Sequence, residues 1–200
     1  MNEPAYGDGP RPRGDTRARI RQVALELFAE QGYEQTSLRE IAERLGVTKA
    51  ALYYHFKSKE DIVAAFTEDY GAEIDALIAW AAAQPRTTQA RRELLDRYIG
   101  IVMGSSEVFR FLERNQAAVK GLEGGKRRFE QFRPRLEALV QILVGQQAPL
   151  RERVRATAAL TAASMSCMFF MKDADDPEEL RAIVLELASG LVDVPTPQLS

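Results

Sequence analysis

The stretch from Thr48 to Lys59, TKAALYYHFKSK, gathers the side chains of this chain best placed to act on a partner. Lys49 can donate to guanine edges or to phosphate, and Ala51 can touch a thymine methyl. The hydroxyls of Tyr53 and Tyr54 and the imidazole of His55 can reach phosphate or base. At 100° per residue, Tyr53, Tyr54 and His55 sweep about 200° of helical arc, so one apolar core cannot receive all three. Leu52 and Phe56, four apart, are the better core pair. Thr48, Lys49, Ala51, Tyr53, Tyr54 and His55 are left to face outward. Just beyond, Lys57 and Lys59 flank Ser58 at the start of another helix, where amides and a positive dipole favour an anion such as phosphate. This is chemistry of contact with a double helix.

Catalytic chemistry is poorly provided for. His55 is the single histidine, and Ser58, the serine nearest it in sequence, lies at the start of the next helix. The single cysteine, Cys167, excludes an intramolecular disulfide and a cysteine-rich zinc site, and its apolar surroundings point to a buried thiol. The segment GLEGGKR hints at a phosphate loop, but the spacing from Gly121 to Gly125 is one residue short. Arg127 also stands where such a loop needs Ser or Thr. No metal-ligand spacing occurs. The expectation is a protein that is not an enzyme, with no cofactor and no metal.

The elements that would position the outward residues are legible. Leu38, Ile41, Ala42 and Leu45 follow the i, i+3, i+4, i+7 spacing of one helical face over residues 37–45. Ser37 and Glu40 make a capping box, and Gly46 stands where a left-handed residue ends a helix. Thr48 is the natural N-cap of the following helix. An earlier helix near Thr16 to Gln31 carries an apolar stripe of Ile20, Val23, Ala24, Leu27 and Phe28, and Gly32 ends it. Two short helices joined by a Gly-containing turn describe a helix-turn-helix, whose second helix can enter the major groove. The same pattern also serves ordinary helix packing, in which aromatics at helical spacing are core.

The run FAEQGYEQTSLREIAERLGVTKAALYYHFKSKEDI resembles, almost position for position, the N-terminal domain of TetR-family transcriptional regulators. The resemblance covers roughly residues 16–65. Its marks are the phenylalanine and Gly-Tyr ending the first helix, Thr-Ser before the second, Ile-Ala…Leu-Gly-Val, Leu-Tyr-Tyr-His-Phe and Lys-Ser-Lys-Glu. It implies an all-α fold of about nine helices. An N-terminal three-helix helix-turn-helix domain would precede a larger helical domain for ligand binding and dimerisation. The function implied is that of a cytoplasmic homodimeric regulator, a repressor of a palindromic double-stranded DNA operator, released by a small apolar or amphipathic ligand. A constitutive regulator without a ligand is the alternative. The resemblance places Arg39, Thr48, Lys49, Ala51, Tyr53, Tyr54 and His55 on DNA and Lys59 on phosphate. Such families often carry glutamine or a small residue where this chain has Lys49.

The rest of the chain is organised less specifically. Net charge is −2, so there is no global basic signature, although residues 11–60 hold ten Lys/Arg against seven Asp/Glu. Residues 1–15 read as a disordered arm, without the apolar core of a signal peptide, and residues 16–60 and 61–200 as the two domains. Further helices are expected from Ser58 to about Ala83 and over 87–103, 106–120, 127–146, 149–172 and 177–193. Pro134 is expected to kink or divide one of them. Ala156 to Met171 is uncharged but short for a membrane span, so a buried helix is expected there and no membrane partner. Its alanines, among them Ala158 and Ala162, join Leu180, Ile183, Val184, Leu187 and Leu191 as candidates for an intersubunit four-helix bundle or for intrachain core. Trp80, Tyr98, Met103, Phe109, Phe129, Phe132, Met165 and Phe169 are candidates for a ligand pocket, and equally for core.

Overall fold

Residues 13–115 and 125–193 are described by the computed structural model, and side chains from residue 16 to 115 and from 132 to 193. Among the described residues there are nine α-helices and no strand, an all-α fold. They divide into two compact units, with the boundary between Phe66 and Thr67.

In the N-terminal unit, α1 (Arg13–Gln31) starts three residues before Thr16. It buries Ile20, Ala24, Leu27 and Phe28. It stops at Gly32, whose φ of +92° few side chains tolerate. Helix α2 (Leu38–Leu45) opens on the reciprocal Ser37–Glu40 capping box and closes at Gly46, φ +72°. Helix α3 (Lys49–His55) is capped by Thr48, whose hydroxyl accepts from the Ala51 amide at 3.1 Å. Each short helix is therefore ended by its own sequence, and the buried Leu38, Ile41, Ala42, Leu52 and Phe56 close the three into one core. Helix α4 (Lys59–Ala82) gives its first turns to this unit through buried Ile62, Val63, Ala65 and Phe66, and the boundary between units falls within it.

The C-terminal unit continues with α5 (Thr88–Gly104), α6 (Ser106–Arg114), α7 (Gly125–Val144), α8 (Leu150–Phe170) and α9 (Pro177–Asp193). The helix expected over 106–120 ends at Arg114, and residues 116–120 lie outside the described residues. Pro134 sits inside α7 without dividing it. Helix α8, the uncharged stretch, packs against α5, α6, α7 and α9. Among the described residues, no helix is long and apolar enough to cross a membrane. Its buried Ala156, Ala159, Leu160, Ala163 and Cys167 share one face, where small side chains let helices approach closely.

Apolar residues continue around the other side of α8. Val154, Met165 and Phe169 form an outward stripe with half-buried Ala158 and exposed Ala162, and Phe169 is 66 % exposed. Helix α9 repeats the arrangement: Leu180, Val184 and Ala188 point into the core, while Ile183, Leu187 and Leu191 point out, Leu187 being 64 % exposed. The candidates for an intersubunit bundle thus separate by helical phase, with Leu180 and Val184 in the unit's own core.

The pocket candidates separate too. Met165 and Phe169 lie on the outward stripe. Trp80 is half-buried under the Arg97 guanidinium, 4.0 Å from its ring centroid, and lines an open groove with Leu77, Gly100 and Ile101. Met103 packs on the main core. Phe109 and Phe132 both meet Tyr70, at 4.9 and 5.1 Å between centroids. The Tyr98 hydroxyl lies 2.6 Å from Ser164 Oγ. Ser164 already donates to the Leu160 carbonyl, so Tyr98 is the donor, and its oxygen remains open to the hydrogen bond with Tyr70. Burial raises the pKa of both tyrosines, which keeps them protonated donors. Phe129 lies outside the residues whose side chains are described.

Candidate nucleic-acid interface

Leu52 is fully buried and Phe56 nearly so, and together they fix the rotation of α3. With that side inward, Thr48, Lys49, Ala51, Tyr53 and Tyr54 are exposed and His55 is half-buried. Tyr54 is the most prominent, at 69 % exposure, and its ring meets His55 edge-on at 5.2 Å. Lys49 Nζ stands 5.5 Å over the ring of Tyr53, which orients the cation without consuming its hydrogen bonds. A seven-residue helix thus presents an ammonium, two phenol hydroxyls and a methyl on one surface, the donors and apolar contact that base edges and phosphates accept. Thr48 contributes differently, since its hydroxyl is engaged in the cap.

The anion cradle expected at Ser58 is filled from within. The Asp61 carboxylate accepts from the Lys57 amide at 2.9 Å and the Ser58 amide at 3.2 Å, while Ser58 Oγ accepts from the Asp61 amide at 3.1 Å. Lys59, expected on phosphate, turns inward. Its Nζ donates to the Tyr33 carbonyl at 2.6 Å and the Glu34 carbonyl at 3.4 Å, 4.4 Å from the centroid of the Tyr33 ring. The ammonium thereby closes the turn after α1 against the start of α4. Lys57 Nζ donates to the Tyr53 carbonyl at 2.9 Å and completes the C-terminal turn of α3. Arg39 is surface-exposed on α2 and pairs with Glu43 at 2.7 Å, an i,i+4 contact weak enough for phosphate to replace.

Sequence reasoning missed the groups that hold this surface from behind. Thr36 is buried and donates to the Gly32 carbonyl at 2.8 Å, which fixes the turn between α1 and α2. The Tyr33 hydroxyl donates to Glu60 at 3.0 Å, and burial foremost, then Glu60, raises its pKa. Arg44 reaches Glu30 at 2.9 Å and holds that carboxyl below its usual range through a hydrogen bond. The available signal was the Gly-Tyr…Thr-Ser spacing, which the residues alone did not turn into contacts.

A sequence family described as "Bacterial regulatory proteins, tetR family" matches residues 20–66, the span of this unit's core. The HTH-type transcriptional regulator AcrR of Shigella flexneri is 54 % identical over 48 residues, 24 % of this chain and 22 % of that protein. The HTH-type transcriptional activator FasR of Mycolicibacterium smegmatis is 30 % identical over 108 residues, 52 % of this chain and 48 % of that protein. The HTH-type transcriptional repressor KstR2 of the same species is 36 % identical over 63 residues, 32 % of this chain and 31 % of that protein. The chain therefore spans half or less of the length of these relatives. Solved structures match more of it at lower identity. A transcriptional regulator of Aquifex aeolicus superposes with a TM-score of 0.69 at 22 % identity, over 86 % of this chain and 96 % of that one. The TetR-family regulator PfmR of Thermus thermophilus gives 0.67 at 23 %, over 87 % and 97 %. These two likenesses establish the fold.

Proposed function

We propose that this chain, whose residues 20–66 match the TetR family of bacterial regulatory proteins, is a cytoplasmic, homodimeric DNA-binding regulator of that family. It represses transcription from a palindromic operator and is released by a small apolar or amphipathic ligand. The observation that carries the reading is the face of α3: Lys49, Ala51, Tyr53 and Tyr54 lie outward on a helix whose rotation is fixed by buried Leu52 and Phe56. Dimerisation is supported by the outward apolar stripes of α8 and α9, Val154, Met165, Phe169, Ile183, Leu187 and Leu191, which a second copy would bury. Arg39 adds a backbone contact beside the reading helix, and half-buried His55 stands edge-on to Tyr54 at the same DNA-facing surface. A ligand acts in the C-terminal unit and reaches α3 through α4, the helix in which the two units meet in sequence.

Selection of duplexes from a random pool tests this reading. A two-fold dimer enriches inverted repeats whose half-site centres lie about 34 Å apart, or a multiple of that. A single asymmetric half-site, or no enrichment, overturns it. For release, operator affinity is measured with and without a confirmed ligand while light scattering follows mass. The expected coupling is about 1–3 kcal/mol with the dimer intact. Loss of affinity that tracks dissociation into monomers would place the ligand's action at the interface. A promoter–reporter fusion reads the sign, and transcription that rises with the protein's concentration excludes repression.

A further inference from the structure

At the end of the C-terminal unit formed by the last turn of α4, the start of α5 and the last turns of α7 lies a concavity of about 340 Å³. That is at the small end of the range for sites that hold small molecules. Its wall is apolar along Ile78, Ala81, Ala82, Leu94, Ala138 and Ile142. Its rim is polar and of one charge: Arg86 and Arg91 line it, and no Asp or Glu does.

The two arginines are differently engaged. Arg91 pairs through Nη2 with Asp193 at 3.2 Å, and its Nε is buried with no hydrogen-bond partner. Arg86 has neither an ion pair nor a hydrogen bond among the described residues. Its guanidinium rests against the backbone of Gly145, where a Cβ would come within 3.2 Å of Nη1. One guanidinium is thus balanced by Asp193 and the other is not. Each retains donors that a planar anion accepts. The first turn of α5 adds the positive end of its dipole on the same side.

We propose that this concavity binds a small amphipathic anion: a carboxylate headgroup held between Arg86 and Arg91, with a short aliphatic body along Ile78, Ala82, Leu94 and Ala138. The site is distinct from the aromatic cluster around Tyr70 and from the groove at Trp80. It does not depend on the regulator reading, because binding is measured on the protein without DNA.

Octanoate is the probe and octanol its uncharged control, titrated into the full-length protein by calorimetry. Octanoate binds at one site per chain and octanol binds about tenfold more weakly or less, because a charge-assisted pair is lost. Arg86→Gln weakens octanoate about tenfold and leaves octanol unchanged. Ala138→Trp fills the apolar end and abolishes binding of both, with circular dichroism confirming that each variant is folded. Octanol binding as well as octanoate, octanoate binding unaltered in both variants, or no octanoate binding at millimolar concentration would overturn the proposal. If Ala138→Trp does not fold, Ile142→Phe replaces it with the same expected loss.

Discussion

The N-terminal and C-terminal units solve opposite problems with the same kind of helix. In residues 13–66 the two helices that build the site, α2 and α3, are 8 and 7 residues long and individually capped, and the side chains of α3 have unambiguous addresses. Leu52 and Phe56 are inside, and Tyr54 and Lys49 are outside. In the C-terminal unit two helices, α8 and α9, of 21 and 17 residues, are apolar on opposite faces. The first unit is locally determined, by capping boxes, left-handed glycines and i,i+4 core pairs. The second is determined by what lies against each face, which local sequence does not supply. The matches divide in the same way: 54 % identity over 48 residues for one relative, against 22 % over most of the chain for a shared fold.

The comparison is broken most forcefully at Leu52. Leu52→Ala removes a fully buried side chain and should cost about 2–5 kcal/mol. The loss should fall on the N-terminal unit. Trp80, the single tryptophan, reports the C-terminal unit, so its fluorescence transition in denaturant should stay near that of the wild type while DNA binding is lost. A Trp80 transition shifted by the full amount would show that the two units unfold as one.

On the other side, Leu187→Asp places a charge on the outward stripe of α9 and leaves the inward Leu180 and Val184 untouched. Burying that charge against a second copy should weaken dimerisation by about 3 kcal/mol, with helicity and thermal midpoint of the protomer little changed. Light scattering across a dilution series measures it, and an unchanged dimer would move the interface elsewhere. Lys59 sharpens the picture of the first unit. Because its ammonium closes the turn at Tyr33, Lys59→Met should destabilise the fold by about 1.5–3 kcal/mol. The salt dependence of DNA binding should keep its slope, and a slope flattened by about 1 would return Lys59 to the phosphates.

The smallest effect is electrostatic. Hydrogen bonds from Ser37, side chain first and then amide, hold the Glu40 carboxyl below its ordinary 4.5. A lowered folded-state pKa contributes stability that is complete above about pH 4.5 and lost as pH falls through the folded value. Glu40→Gln should therefore narrow the difference in thermal midpoint between pH 7 and pH 3, and an unchanged difference would show that the capping box contributes nothing through charge.

How much of this was legible in sequence follows from the same division. Capping is local, so Ser37–Glu40, Gly46 and Thr48 could be read directly, and with them the ends of α2 and α3. Periodicity placed nine helices, but it could not phase α8 and α9. Leu180 and Ile183 are both apolar on one helix, and only packing against α5 and α8 sends the first inward and the second out. The contacts of Lys59 were hidden for a related reason. A lysine at a helix start looks available, and the carbonyls of Tyr33 and Glu34 that engage it lie 26 and 25 residues away in sequence. The cradle at Ser58 looks open in sequence because nothing there shows that Asp61, three residues on, turns its carboxylate back onto the amides of Lys57 and Ser58. Aromatic residues proved a poor guide to cavities, since Tyr70 gathers Phe109 and Phe132, while Trp80 faces a separate groove.

The central claim is that the outward face of α3 reads bases while its inward face only holds it in place. Lys49→Ala tests this most directly, because Lys49 is exposed and its ammonium stands over Tyr53 of its own helix. The measurement is paired titration of wild type and Lys49→Ala against the selected operator and a scrambled duplex of equal length at fixed salt. Discrimination between the two duplexes should fall by about 1–3 kcal/mol, with affinity for the scrambled duplex nearly kept. Equal losses on both duplexes, or no loss on either, would contradict the claim.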